Sequence, residues 1–225
     1  MPQSVSPDEE RWRRDPDVRL MLLVRDDKAG SFDQLVAKYQ DRVVGILHHL
    51  VGNLQDAEDL AQTAFLRVYR SRHEYVPKAK FSTWLFTIVN NLAMNAKRDK
   101  KRRPTSASAN VPGTASTGMQ ALDQMLAAPS GATPSRLLAK AELSDLVKAA
   151  VEQLSDEQRL AVILNKFEDM SYRDIAGVLG KSEMAVKSLL SRARAALKEV
   201  LEPYLMNGER LKQGPGARGQ GPGGN

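Results

Sequence analysis

Two stretches of this sequence concentrate side chains that bind polyanions. From Lys97 to Arg103, six cations (Lys97, Arg98, Lys100, Lys101, Arg102 and Arg103) stand against one acid, Asp99. Just upstream are the aromatics Tyr75, Trp84 and Phe86, the amides Asn90 and Asn91, and the basic pair Lys78 and Lys80. Rings stack on any base, amides read base edges and cations neutralise phosphate, so this mixture suits unstacked nucleic acid. Trp84, Leu85 and Ile88 also share helical spacing, and for Trp84 core packing is the stronger of the two readings.

The second stretch runs from Ile175 to Lys198. Ala176, Gly180 four positions on and Val186 six beyond have the spacing of a helix-turn-helix: the small residue lets two helices approach, the glycine takes a positive φ at the turn, and the branched residue anchors the second helix. A helical hairpin with a glycine C-cap is the alternative. From Lys181 to Lys198 the cations Lys181, Lys187, Arg192, Arg194 and Lys198 face only Glu183. A solvent-facing bundle helix would more often mix Glu with Lys, so the charge favours a DNA-reading helix. Ser182, Glu183, Met184, Lys187 and Ser188 lie in its first turns, where base edges are met. Ser191, Arg192 and Arg194 lie deeper, toward the phosphate backbone, and Ser171 and Arg173 open the preceding helix.

Catalytic constellations are missing from the sequence. Its three histidines, His48, His49 and His73, match no metal-ligand pattern, and no acidic pair stands beside a nucleophile. We therefore expect no enzymatic activity, cofactor or metal; for His48 and His49, on one helix, packing is the reading of at least one. The chain has no cysteine, which removes disulfides and thiolate chemistry and suits a reducing compartment. Thirty-three Lys and Arg against 27 Asp and Glu leave +6, compatible with a polyanionic partner and equally with simple solubility. The charged N-terminus, Met1 to Asp17, has no signal-peptide core, and apolar runs such as Leu20 to Val24 fall far short of a membrane span, so a cytoplasmic location is expected.

Helices must position these groups. The residues 104–135 and 207–225, rich in Ser, Ala, Gly and Pro, read as a flexible linker and a disordered tail, and residues 1–17 as a disordered start. Between them lie two all-α domains, 18–103 and 136–206. A linker of that length, fully extended, reaches on the order of 100 Å, so the domains need not touch. Inside the linker, Met119, Leu122, Met125 and Leu126 have helical spacing without enough context for a stable helix. In the first domain Phe32, Leu35, Val36, Tyr39, Val43, Ile46, Leu47 and Leu50 mark one long helix opened by a Ser31–Gln34 capping box. Asn53 opens a second, and Ser82, after the Pro77 interruption, a third. In the second domain a helix from about Arg136 to Leu154 precedes starts at Ser155, Ser171 and Ser182.

Three motifs, in order, match a known family: DAEDLAQTAFLRVY over 56–69, FSTWLFTIVNN over 81–91, and SYRDIA at 171–176 followed by VKSLLSRAR at 186–194. The chain resembles the extracytoplasmic-function group of sigma-70 RNA polymerase sigma factors over residues 18 to 103 and 136 to 203. The resemblance implies a region 2 bundle whose helix carrying Asp56, Glu58, Asp59, Gln62, Phe65 and Tyr69 docks on the coiled coil of the polymerase's largest subunit. It implies capture of a flipped minus-ten base by Tyr75, Trp84, Asn90 and Asn91, with Lys78, Lys80, Lys97, Arg98, Lys101 and Arg102 on the backbone. It further implies a region 4 domain reading the minus-thirty-five duplex near the flap of the second-largest subunit, a linker directed to the RNA channel, and an anti-sigma partner. A helix dipole alone would explain Asp56 and Glu58, but not Gln62 or an exposed Phe65. Met184 and Ala185 stand where relatives usually have Gly-Thr, Leu189 where they often have Arg, and 76–80 is unusually basic, so the promoter sequence stays open. A stand-alone helix-turn-helix repressor or activator is the rival reading.

Overall fold

The computed structural model describes residues 12–102 and 146–212. The expected linker with its Met119–Leu126 patch, the start of the helix at Arg136, residues 1–11 and the tail beyond 212 lie outside the described residues.

Four helices form the first unit: α1 (Pro16–Arg25), α2 (Ser31–Val51), α3 (Leu54–Arg70) and α4 (Phe81–Arg102), with a short 3-10 turn at Arg72–Glu74. Their starts have local causes. Asp15 Oδ1 accepts from the amides of Asp17 at 2.9 Å and Val18 at 3.2 Å, with Pro16 in the first turn, and Asn53 Oδ1 accepts from Asp56 N at 3.0 Å; each satisfies an amide the helix cannot. Ordered helix therefore begins inside the stretch expected to be disordered up to Asp17.

Two of the expected caps are absent. Gly30, at φ 74°, is the N-cap of α2; Ser31 is already helical and buried, and its hydroxyl donates to Lys28 O at 2.6 Å. The chain enters α2 in a left-handed conformation, which only glycine adopts cheaply, so the capping-box geometry never arises. α4 begins at Phe81 rather than after Ser82, because burial of Phe81 against Tyr39 (ring centroids 5.2 Å apart) sets the entry.

The core of the first unit is built on α2, where Leu35, Tyr39, Val43 and Leu47 are buried. Ala57, Ala61 and Ala64 line the facing stripe of α3 and let its backbone approach α2. Phe81, Leu85, Val89 and Leu92 bring the apolar stripe of α4 to the same core.

The second unit comprises a helical stretch at 146–152 followed by α5 (Asp156–Lys166), α6 (Tyr172–Leu179) and α7 (Glu183–Lys212). Here the expected caps form: Ser155 and Gln158 make a reciprocal box, Ser171 Oγ accepts from Asp174 N at 3.2 Å, and Ser182 Oγ from Ala185 N at 3.2 Å. α6 and α7 make the helix-turn-helix, with Gly180 at φ 63° and Ala176 and Val186 buried. α7 continues to Lys212, past the expected boundary of the tail.

The two units are packed together, α6 on α4 and α5 on α2. Arg42 pairs with Glu168, Lys80 Nζ lies 3.1 Å from Asp174, and Lys97 Nζ 2.5 Å from Asp156. The Arg159 guanidinium donates to the carbonyl of His49 at 2.7 Å and to those of Val151 at 3.1 Å and Leu154 at 3.1 Å. Replacing Gly180 with Ala leaves its Cβ in open space, so its cost is conformational, about 1 kcal/mol. The Gly180→Ala variant is expected to unfold a few degrees lower in a thermal melt followed by circular dichroism.

Candidate nucleic-acid interface

Three surfaces carry the residues singled out from the sequence. The first is the outer side of α4 and the strand-like approach to it. Lys78, Asn91, Arg98, Lys101 and Arg102 are exposed. Lys80, Asn90 and Lys97 are half-buried because the second unit lies on them: Lys80 and Lys97 pair with carboxylates, and Asn90 Nδ2 donates to Val178 O at 3.5 Å. The aromatic group is mostly core. Tyr75 is only 5% exposed, its ring 4.9 Å from that of Trp84, while its hydroxyl has no hydrogen-bond partner. Burial pushes that hydroxyl's pKa well above the usual tyrosine range. Trp84 is partly buried and packs on Phe81 as well. Tyr75 therefore does not present its ring to solvent in this conformation, whereas Asn91 and Lys78 are accessible.

The second surface is the recognition helix. Ser171, Arg173, Lys181, Ser182, Glu183, Met184, Lys187, Ser188, Ser191, Arg192 and Arg194 are all exposed; Met184, at 81%, is an apolar side chain standing in solvent. Opposite them, Val186, Leu189, Leu190 and Ala193 are buried, which turns the polar face outward. Lys181 pairs with Glu157 at 3.0 Å and Arg194 donates to the Tyr172 hydroxyl at 3.0 Å, a contact that lowers the pKa of that hydroxyl.

The third surface is the outer face of α3. Asp56, Glu58, Asp59, Gln62 and Tyr69 are exposed and Leu66 joins them, so acids, an amide and two apolar groups form one strip. Phe65 corrects the expectation: only 7% exposed, it belongs to the core, because it falls on the same helical stripe as Ala61, Ala64 and Val68. Asp56 also has a cation nearby, Lys100 at 3.8 Å, which sequence neighbours could not reveal.

Sequence reasoning missed Arg42, Asp156, Arg159, Glu168 and Asp174, the polar groups that join the units. Glu168 is largely enclosed; burial pushes its carboxyl up while Arg42 pulls it back. No local pattern marks a partner 126 positions away.

Comparison with known proteins adds the family. The model described as Sigma-70 region 2 matches residues 35–103, and that of Sigma-70, region 4 matches 144–197. The RNA polymerase sigma-H factor of Pseudomonas aeruginosa is 32% identical, over 85% of this chain and 97% of its own length. SigW of Bacillus subtilis, named an ECF RNA polymerase sigma factor, is 30% identical over 79% of this chain and 92% of its own length. The chain belongs to the ECF group of RNA polymerase sigma factors. The fold is also similar to that of CnrH, solved with the cytosolic domain of CnrY, at a TM-score of 0.57 and 23% identity, over 84% of this chain and 99% of that one. A second neighbour is the sigma factor RpoE of Bartonella quintana, solved with the anti-sigma factor NepR, at a TM-score of 0.55 and 24% identity over 76% of this chain and 96% of that one. Among the described residues no helix is long and apolar enough to cross a membrane.

At the seam between the two units of this sigma factor, burial above all, then His48, Arg159 and Lys148, lowers the pKa of His49 to about 4 from 6.5. His49 is therefore neutral in the folded state at pH values where the unfolded chain binds a proton. Its contribution to stability is complete above pH 6.5 and is lost as the pH falls from 6.5 towards 4. Thermal melts across that range are expected to show the midpoint falling with pH for the wild type, and falling less for His49→Gln.

Proposed function

We propose that this chain is the promoter-reading subunit of bacterial RNA polymerase, itself without catalytic activity, and that its three exposed faces divide the work. The α3 strip of Asp56, Glu58, Asp59, Gln62, Leu66 and Tyr69 docks on the coiled coil of the largest subunit. The α4 side, with Lys78, Lys80, Asn90, Asn91, Lys97, Arg98, Lys101 and Arg102, holds the opened minus-ten strand, Tyr75 and Trp84 supplying rings once the aromatic group loosens. The recognition helix reads the minus-thirty-five duplex in the major groove, Lys187 and Ser188 nearest the bases and Arg192 and Arg194 nearest phosphate. Strand opening then draws on capture of extruded bases, since the sequence carries no phosphate loop for nucleotide hydrolysis.

One observation above all supports this reading: a recognition helix with an outward cationic face shares a chain with a helix whose outward face is acidic and amide-bearing in its first turns and carries Leu66 and Tyr69 beside Arg67 and Arg70 in its last. A protein surface suits that mixture better than a phosphate backbone does. An anti-sigma partner fits the same reading, as do the solved complexes of its structural neighbours. The conclusion is tested by co-elution of the purified chain with core RNA polymerase on size exclusion. Wild type is expected to co-elute, and the Asp59→Lys, Tyr69→Ala variant to lose at least tenfold in affinity, about 1.4 kcal/mol, with unchanged circular dichroism. Free wild-type protein that binds promoter duplex specifically but never core polymerase would instead favour a stand-alone regulator.

A further inference from the structure

We propose that Met184 sets base preference in the minus-thirty-five element by covering the C5-methyl group of a thymine. This rests on the assignment of α7 to the minus-thirty-five duplex made above. Met184 is 81% exposed, against 41% to 53% for Leu23, Leu66, Tyr69 and Val76, the other large apolar side chains at the described surface. It is the second residue of α7, and the Ser182 cap on Ala185 N, at 3.2 Å, fixes where that helix begins. The rotation of the helix is fixed as well. Val186, Leu189, Leu190 and Ala193 are buried, so Met184, Lys187, Ser188 and Ser191, spaced i, i+3, i+4 and i+7, stand on one outward ridge.

A lone apolar side chain at a surface is ordinary. What distinguishes Met184 is its place at the leading end of a reading helix, among groups that bind polar atoms. The major groove shows hydrogen-bonding atoms on every base pair, and its apolar group is the thymine methyl. A ridge of one thioether, one ammonium and two hydroxyls therefore divides its work: Lys187 and the serines take donor and acceptor edges, and Met184 takes the methyl. The side chain is unbranched and its sulfur polarisable, so it settles on a methyl without a preformed pocket. Lys187 follows Met184 by three positions, about 4.5 Å of helix rise, against about 3.4 Å between base pairs. The thymine thus lies one or two base pairs from the base that Lys187 meets. Relatives usually carry glycine at this position, which has no side chain to make the contact, so the preference is a property of this chain rather than of the group.

The test uses the full chain with core RNA polymerase and duplex fragments that the wild-type holoenzyme enriches from a random library. Each thymine of the enriched minus-thirty-five element, on either strand, is replaced in turn by deoxyuridine, which removes the methyl and leaves every hydrogen-bonding group in place. For the wild type, replacement at one position is expected to weaken binding about fourfold, the size of one methyl group withdrawn from an apolar contact. The Met184→Ala variant is expected to keep its native circular dichroism, since the side chain stands in solvent, and to bind the thymine and deoxyuridine fragments alike at that position. Met184→Leu should keep the wild-type difference. A methyl preference that survives Met184→Ala would overturn the proposal, because another group would then hold the methyl. An enriched element without thymine on either strand, or one in which no methyl matters to the wild type, would overturn it as well. If the wild-type holoenzyme enriches no fragment at all, the promoter assignment itself fails and the proposal with it, a result distinct from the others.

Discussion

A single 22-residue helix, α4, has to satisfy two neighbours at once. Its apolar stripe, Phe81, Leu85, Val89 and Leu92, closes the core under α2 and α3, and the side away from that stripe meets α6. A helix turns about 100° per residue, so residues serving the two neighbours alternate along one sequence. Asn90 and Lys97 can therefore belong to a surface although Val89 and Leu92 beside them are core. The same constraint explains why the aromatics near the start of α4 are ambiguous: Trp84 is close enough to the stripe to pack on Phe81 and close enough to the surface to remain partly open.

The two units are joined by an apolar cluster that runs through both, as inside each unit, and by a set of polar links between them. Inside the first unit, large side chains such as Tyr39, Phe86 and Leu47 are fully enclosed. Across the seam, part of the adhesion is carbonyls, carboxylates and cations, with Arg159 binding carbonyls of both units. Hydrogen bonds and half-exposed ion pairs exchange readily with water and other ions, so these links fix the register of the seam while the shared apolar cluster supplies most of its burial. Within the seam the enclosed groups are the sensitive ones: Glu168 depends on Arg42, and His49 depends on staying neutral.

Helix class, the boundaries set by Asn53, Ser155, Ser171 and Ser182, and the helix-turn-helix at Ala176, Gly180 and Val186 were legible because each depends on residues a few positions apart. The Ser31 box failed although the pattern was right, since a left-handed Gly30 placed the serine inside the helix. Phe65 failed for another reason: family likeness suggested an outward ring, but its place on the alanine stripe of α3 turns it into the core.

By itself, then, the sequence determined an all-helical chain, its reading helix, its basic run after Asn91 and its family, because periodicity, capping and charge are written in neighbouring residues. Tertiary structure alone decided that α6 covers α4, that Lys80 and Lys97 answer Asp174 and Asp156, and that Tyr75 is enclosed. Those pairings join positions 94 and 59 apart in the chain. Contacts so far apart leave no local period, and only the packing of one helix against another brings their charges within reach.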